Sequence, residues 1–155
     1  MTAPLRLLGL AAALLGPAAP LSAQEAPLEA APEAASEAPE PTAGLSVELN
    51  GAESVDGSCR LTFLVENGLG ADLAALSLET VVLTAEGTVD QLTLFDFGAL
   101  PAGRPRVRQF DLAGLACEAI GQVLINGVTA CEGVEEGACL ANLRLSSRSD
   151  VELIG

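Results

Sequence analysis

The chain has 155 residues and a formal net charge of −14, and every one of its seven basic residues is arginine. A length of this order holds one ordinary domain. So acidic a chain repels nucleic-acid phosphates and anionic lipid heads, which argues against both as partners. With no histidine, it also lacks the commonest general base and metal ligand.

Residues 1–23 read as a secretory signal peptide. Arg6 supplies the positive start, and the apolar run 7–15 is too short to span a bilayer. Gly16, Pro17 and Pro20 break the helix ahead of a small-residue cleavage site at Leu21-Ser22-Ala23. No cysteine follows the run, as a lipoprotein would need, and no arginine pair precedes it, as the twin-arginine route would need. The expected compartment is therefore periplasmic or secreted, with no transmembrane segment once the leader is removed.

Residues 24–43 form an Ala/Pro/Glu-rich linker. Glu25, Glu29, Glu33 and Glu37 would repel one another on a helical face, and Pro27, Pro32, Pro39 and Pro41 interrupt any helix. With almost no apolar side chain larger than alanine, this stretch cannot offset its ordering entropy and is expected to be a disordered, solvated tether.

Residues 44–155 read as the folded domain. Leu45, Val47 and Leu49 alternate with Ser46 and Glu48, a first strand, and residues 50–58 follow as a polar turn. Residues 59–67 then alternate Cys59, Leu61, Phe63 and Val65 against Arg60, Thr62 and Glu66; Leu64 on the polar side marks this strand as central. A loop over 67–72 leads to a strand over 73–85, with Leu76, Leu78, Thr80 and Val82 on one face. Glu86-Gly87 is a turn, and residues 88–97 are a strand with apolar residues on both parities, which implies cover on both faces or a bulge.

Residues 100–103 make a tight connection, and residues 104–112 the next strand. A short loop precedes a strand over 117–125, and Asn126-Gly127 suits a type I′ hairpin turn leading to a return strand over 128–131. The acidic loop 131–139 and short strands over 143–145 and 151–154 complete the chain. Seven or eight short strands, turn signals about every 8–12 residues and no convincing helix point to an all-β, antiparallel β-sandwich.

Cys59, Cys117, Cys131 and Cys139 lack the close spacing of zinc or redox pairs, and no histidine could complete a mixed site. In an exported protein they are read as disulfides, and of the three possible pairings Cys59–Cys117 with Cys131–Cys139 is preferred. Cys59 and Cys117 each open a strand, and inward positions of two facing strands come within bridging distance.

The runs LTFLVEN (61–67), LSLETVVLTAEG (76–87) and LPAGRPRVRQFDL (100–112) resemble the immunoglobulin-like and fibronectin-III-like sandwiches of bacterial envelope proteins. In those domains a strand ends in Asn and a loop, and a Leu-Pro-x-Gly corner precedes an aromatic strand. The same stretch is similar to small exported proteins of Gram-negative bacteria. The chain departs from antibody-type domains in having no Trp and no Tyr. The resemblance implies a binding or structural role in the cell envelope and supplies no catalytic residue.

Among candidate sites, Arg104, Arg106 and Arg108 are a basic row on one parity of a strand, able to grip carboxylates or phosphates of a partner. The competing reading is that they pair with acids on neighbouring strands or protect a sheet edge. Glu132, Glu135 and Glu136 lie in the cysteine-closed loop, but show no calcium-loop pattern. Asp96, between Phe95 and Phe97, is a weak candidate acid, and Asn67-Gly68-Leu69-Gly70 lacks the helix and lysine of a phosphate loop. Serine nucleophiles have neither histidine nor lysine to activate them. The sequence therefore predicts a non-enzymatic module with no metal and no cofactor. It would bind an unidentified protein through an edge strand or the arginine row, with a small-ligand or ion-binding module as the second reading. Nothing in the residues specifies an oligomeric state.

Overall fold

The structure is a computed structural model and describes residues 43–155. The signal peptide read over 1–23 and the linker read over 24–43 fall outside the described residues, Ala43 apart.

Eight strands are present: β1 (Gly44–Val55), β2 (Ser58–Gly68), β3 (Leu73–Thr84), β4 (Val89–Leu100), β5 (Arg106–Ala113), β6 (Ile120–Glu132), β7 (Leu143–Ser147) and β8 (Glu152–Ile154). They form two four-stranded sheets, sheet A in the order β5-β2-β1-β7 and sheet B in the order β4-β3-β6-β8. The chain crosses between sheets after β2, β4, β5, β6 and β7, so the layers are stitched together along their length. Antiparallel pairing dominates. At the far edge of each sheet a C-terminal strand joins in parallel, β7 on β1 and β8 on β6.

Alternation decides what faces inward. Cys59, Leu61, Phe63 and Val65 of β2 are fully buried, as are Leu76, Leu78, Thr80 and Val82 of β3. Thr80 is tolerated in the core because its hydroxyl donates to the carbonyl of Thr93 at 3.1 Å. The four phenylalanines, drawn from β2, β4 and β5, gather into one cluster. Phe63 touches the other three rings at centroid distances of 5.5, 5.7 and 5.9 Å, and Phe95 stacks on Phe110 at 4.4 Å. A chain with so few aromatics uses all of them at one place between the sheets.

The bridges are Cys59–Cys117 and Cys131–Cys139, the pairing preferred from sequence. Cys117 lies not in a strand but in a 3-10 turn (Cys117–Ala119) just before β6.

Several boundaries differ from expectation. The polar stretch 50–58 is not all turn: β1 continues to Val55, and its pairing with β2 shifts register at Asn50. The reversal is confined to Asp56-Gly57, with φ of 48° and 78° and Val55 facing Ser58. Positive φ at both central residues is what a type I′ turn requires. Asn126-Gly127, the hairpin expected from sequence, is no turn at all: β6 runs straight through it, with a register shift against β3 at Asn126, and neither residue adopts positive φ. The one-turn helix α1 (Ala138–Ala141) sits at the end of the acidic loop. β4 is an edge strand whose second apolar parity is uncovered among the described residues, Leu92 being 62% and Leu94 54% exposed.

Candidate functional site

The arginine row sits where β4 leads into β5, along the open side of the sandwich. Arg104 is exposed in the connection before β5, and Arg106 and Arg108 lie on β5 opposite Val65 and Phe63. They share parity with Phe110 and Leu112, so they lean toward sheet B rather than away from the sandwich. Arg108 uses that direction. Its Nε donates to Phe97 O at 2.7 Å, Nη2 to Ala99 O at 3.3 Å and Nη1 to Val107 O at 3.0 Å. The guanidinium thus fastens the edge of sheet A to the edge of sheet B and occupies carbonyls that an incoming strand would need. Its partners are carbonyls and not the acids expected from sequence. Arg106 donates from Nη1 to Pro105 O at 3.1 Å.

Acid pairing falls to other arginines. Arg60 on β2 makes a bidentate bond to Asp111 on β5 at 2.7 and 2.9 Å, and these hydrogen bonds hold the Asp111 carboxyl below its ordinary range. Glu48 is lowered first by a hydrogen bond from Asn50 and then by one from Arg148, which it meets at 2.8 Å.

The corner beside the row is organised by Asn67, which sequence reading placed only at the start of a loop. It is fully buried. Its Nδ2 donates to Ala71 O and Leu100 O, both at 2.8 Å, and its Oδ1 accepts from Leu69 N at 3.0 Å. Gly103 N donates to its main-chain carbonyl at 2.8 Å, and Asp72 Oδ1 accepts from Ala102 N at 2.8 Å. The strand-Asn-loop run and the Leu-Pro-x-Gly corner, far apart in sequence, are therefore one structural unit. Asn67→Ala is expected to cost about 3 kcal/mol, because it leaves buried carbonyls and an amide without partners. Urea unfolding measures this directly; a cost below about 1 kcal/mol would mean that water replaces the amide.

The remaining candidates do not converge. Asp96 is exposed on the outer side of β4, where its Oδ1 accepts from Gly98 N at 2.9 Å and Ser77 Oγ at 3.3 Å, fixing a kink at Gly98 (φ 63°). Glu132, Glu135 and Glu136 are exposed, and among the described residues no three acids or cysteines gather as a metal site would need. The loop's Gly133 backs onto the Asp72 carbonyl, where a Cβ would come within 2.3 Å. A shallow concavity of about 620 Å³ opens near the Cys59–Cys117 bridge, with Glu118, Arg148, Ser149 and Asp150 in its lining. No helix among the described residues is long and apolar enough to cross a membrane.

No family model and no curated protein matches the chain. Its fold is similar to that of a solved structure, IrmA from Escherichia coli, at a TM-score of 0.53 and 10% identity, covering 67% of this chain and 92% of that one. That likeness reaches the fold alone. It supports a β-sandwich architecture and transfers no residue role.

Proposed function

We propose that the protein is an exported, disulfide-locked β-sandwich that acts by binding a protein partner in the cell envelope and not by catalysis. The observation that carries this reading is where the apolar surface lies. Of the six large apolar side chains left exposed among the described residues, Val89, Leu92 and Leu94 belong to a single edge strand, β4. Apolar residues concentrated on a sheet edge are a liability unless something covers them. Two disulfides fit an oxidising compartment outside the cytoplasm. The signal peptide read over 1–23 would deliver the chain there.

A photo-crosslinking amino acid at position 89 of the full chain, expressed with its leader in a Gram-negative host, is expected to give a discrete adduct. Uncrosslinked protein alone would overturn the reading. The second reading, a small-ligand module, rests on the concavity lined by Arg148 and Asp150. A rise in Tm with a small zwitterionic or anionic ligand would favour it over the first.

A further inference from the structure

We infer that the outer face of sheet B is a docking surface for a basic protein segment that carries apolar side chains between its lysines or arginines. This rests on the binding-module reading and names its surface and its partner's chemistry.

Strand pairing sets the geometry. Leu92 of β4 lies opposite Val81 of β3, Val81 opposite Leu124 of β6, and Leu124 opposite Ile154 of β8. The four side chains form one row across the whole sheet, on the parity opposite to the buried Thr80, Val82, Val123 and Leu153. At ordinary strand spacing the row is about 14 Å long. Leu92 and Ile154 at its ends are 62% and 37% exposed, while Val81 inside it is only 7% exposed, so the neighbouring side chains already close over the centre. Leu94, 54% exposed, widens the row at the β4 edge.

Charge identifies the occupant. No strand of sheet B contains a basic residue; the arginines of the described residues lie on β2, β5 and β7 and in the connections before β5 and after β7. The same outer face carries Glu79 opposite Leu94, Asp96 opposite Ser77, and Glu152 opposite Gln122. Glu79 accepts a hydrogen bond from Asn126, and Glu152 from Gln122 at 2.7 Å, so both carboxylates are tied to side chains of the neighbouring strand β6. A second copy laid face to face would set these acids against each other. The stretch 24–43, with glutamate as its sole charged residue, is repelled in the same way. A partner with apolar anchors flanked by positive charge satisfies both features.

The test uses the full chain and fluorescent synthetic peptides of alternating Leu and Lys, Leu and Glu, or Ser and Lys, read by anisotropy at two salt concentrations. The Leu–Lys peptide is expected to bind the wild type, and to bind a Leu92→Ser/Leu94→Ser variant about tenfold more weakly. Both sites are exposed, so the variant keeps its Tm. Equal binding of wild type and variant overturns the surface, as does equal binding of the Ser–Lys or Leu–Glu peptide. A wild type that sediments as a dimer while the variant is a monomer overturns it in favour of a second copy. In the envelope, an adduct captured equally by wild type and variant from position 89 overturns the surface but keeps the binding-module reading. Peptide binding that meets these expectations without any adduct in the envelope supports the surface and overturns the module reading.

Discussion

Phe63→Ala is expected to lower the unfolding free energy by about 3–5 kcal/mol, the usual range for emptying a large aromatic site. Phe63 is fully buried on central strand β2 and lies within 6 Å, centroid to centroid, of Phe95, Phe97 and Phe110 at 5.5, 5.7 and 5.9 Å. Truncation removes three ring contacts at once, each worth roughly 0.5–1.5 kcal/mol beyond simple burial. Neighbouring strands held in two hydrogen-bonded ladders can collapse little into the space. A domain of this size has about 5–15 kcal/mol of stability, so the variant would sit close to unfolding, with Tm lowered by roughly 12–20 °C. Phe110→Ala, at a partly exposed position on edge strand β5, is expected to cost less. Thermal and urea unfolding of the two variants checks the order. If Phe110→Ala proved the costlier, the cluster would be organised from the edge and not from Phe63.

How much of this was legible in the sequence follows from how local each signal is. The inward face of β2 could be read because alternation over nine residues has one interpretation, and the buried set of β3 followed for the same reason. The disulfide pairing follows from reading Cys59 and Cys117 as openings of facing strands, and the bridge forms although Cys117 sits in the 3-10 turn just before β6. Asn126-Gly127 misled because the dipeptide permits a type I′ turn without compelling one. Here β3 offers β6 a continuous ladder on both sides of it, and a bulge whose Asn126 amide bonds Glu79 keeps that ladder intact. Asp56-Gly57 carried an equivalent signal inside a stretch read wholly as turn.

The candidate site was less legible, because its parts are joined by long-range contacts. Arg108 reads as part of a free row until β4 places the Phe97 and Ala99 carbonyls beneath it. Asn67 reads as a loop residue until the corner at Leu100 and Gly103 arrives to be bonded. Apolar residues of both parities on β4 imply cover on both faces or a bulge, and the pairing with β3 does slip at Asp90, which sets Val89 opposite Leu83. The fold supplies that cover on one face only. Parallel addition of β7 and β8 could not be anticipated either, since strand direction depends on the crossings between sheets and not on any residue in those short segments.

The second large effect is expected from the longer disulfide. Cys59→Ala/Cys117→Ala should cost about 4 kcal/mol, and Cys131→Ala/Cys139→Ala about 2.5 kcal/mol, because the stabilisation grows with the chain length each bridge closes. The sequence separations are 58 and 8. The longer loop contains β3, β4 and β5, so cutting that bridge releases strands of both sheets in the unfolded chain. Alanine is the right replacement at Cys59, which is fully buried; a serine there would add an unpartnered hydroxyl and confuse the comparison. Together the two bridges are of the same order as the whole stability of the domain. Full reduction is therefore expected to leave the protein largely unfolded near body temperature, and synthesis in a reducing cytoplasm to yield little soluble chain. Urea midpoints of the two double variants check the ranking. A larger loss from Cys131→Ala/Cys139→Ala would show that the short bridge acts by holding Gly133 against the Asp72 carbonyl and not through chain entropy.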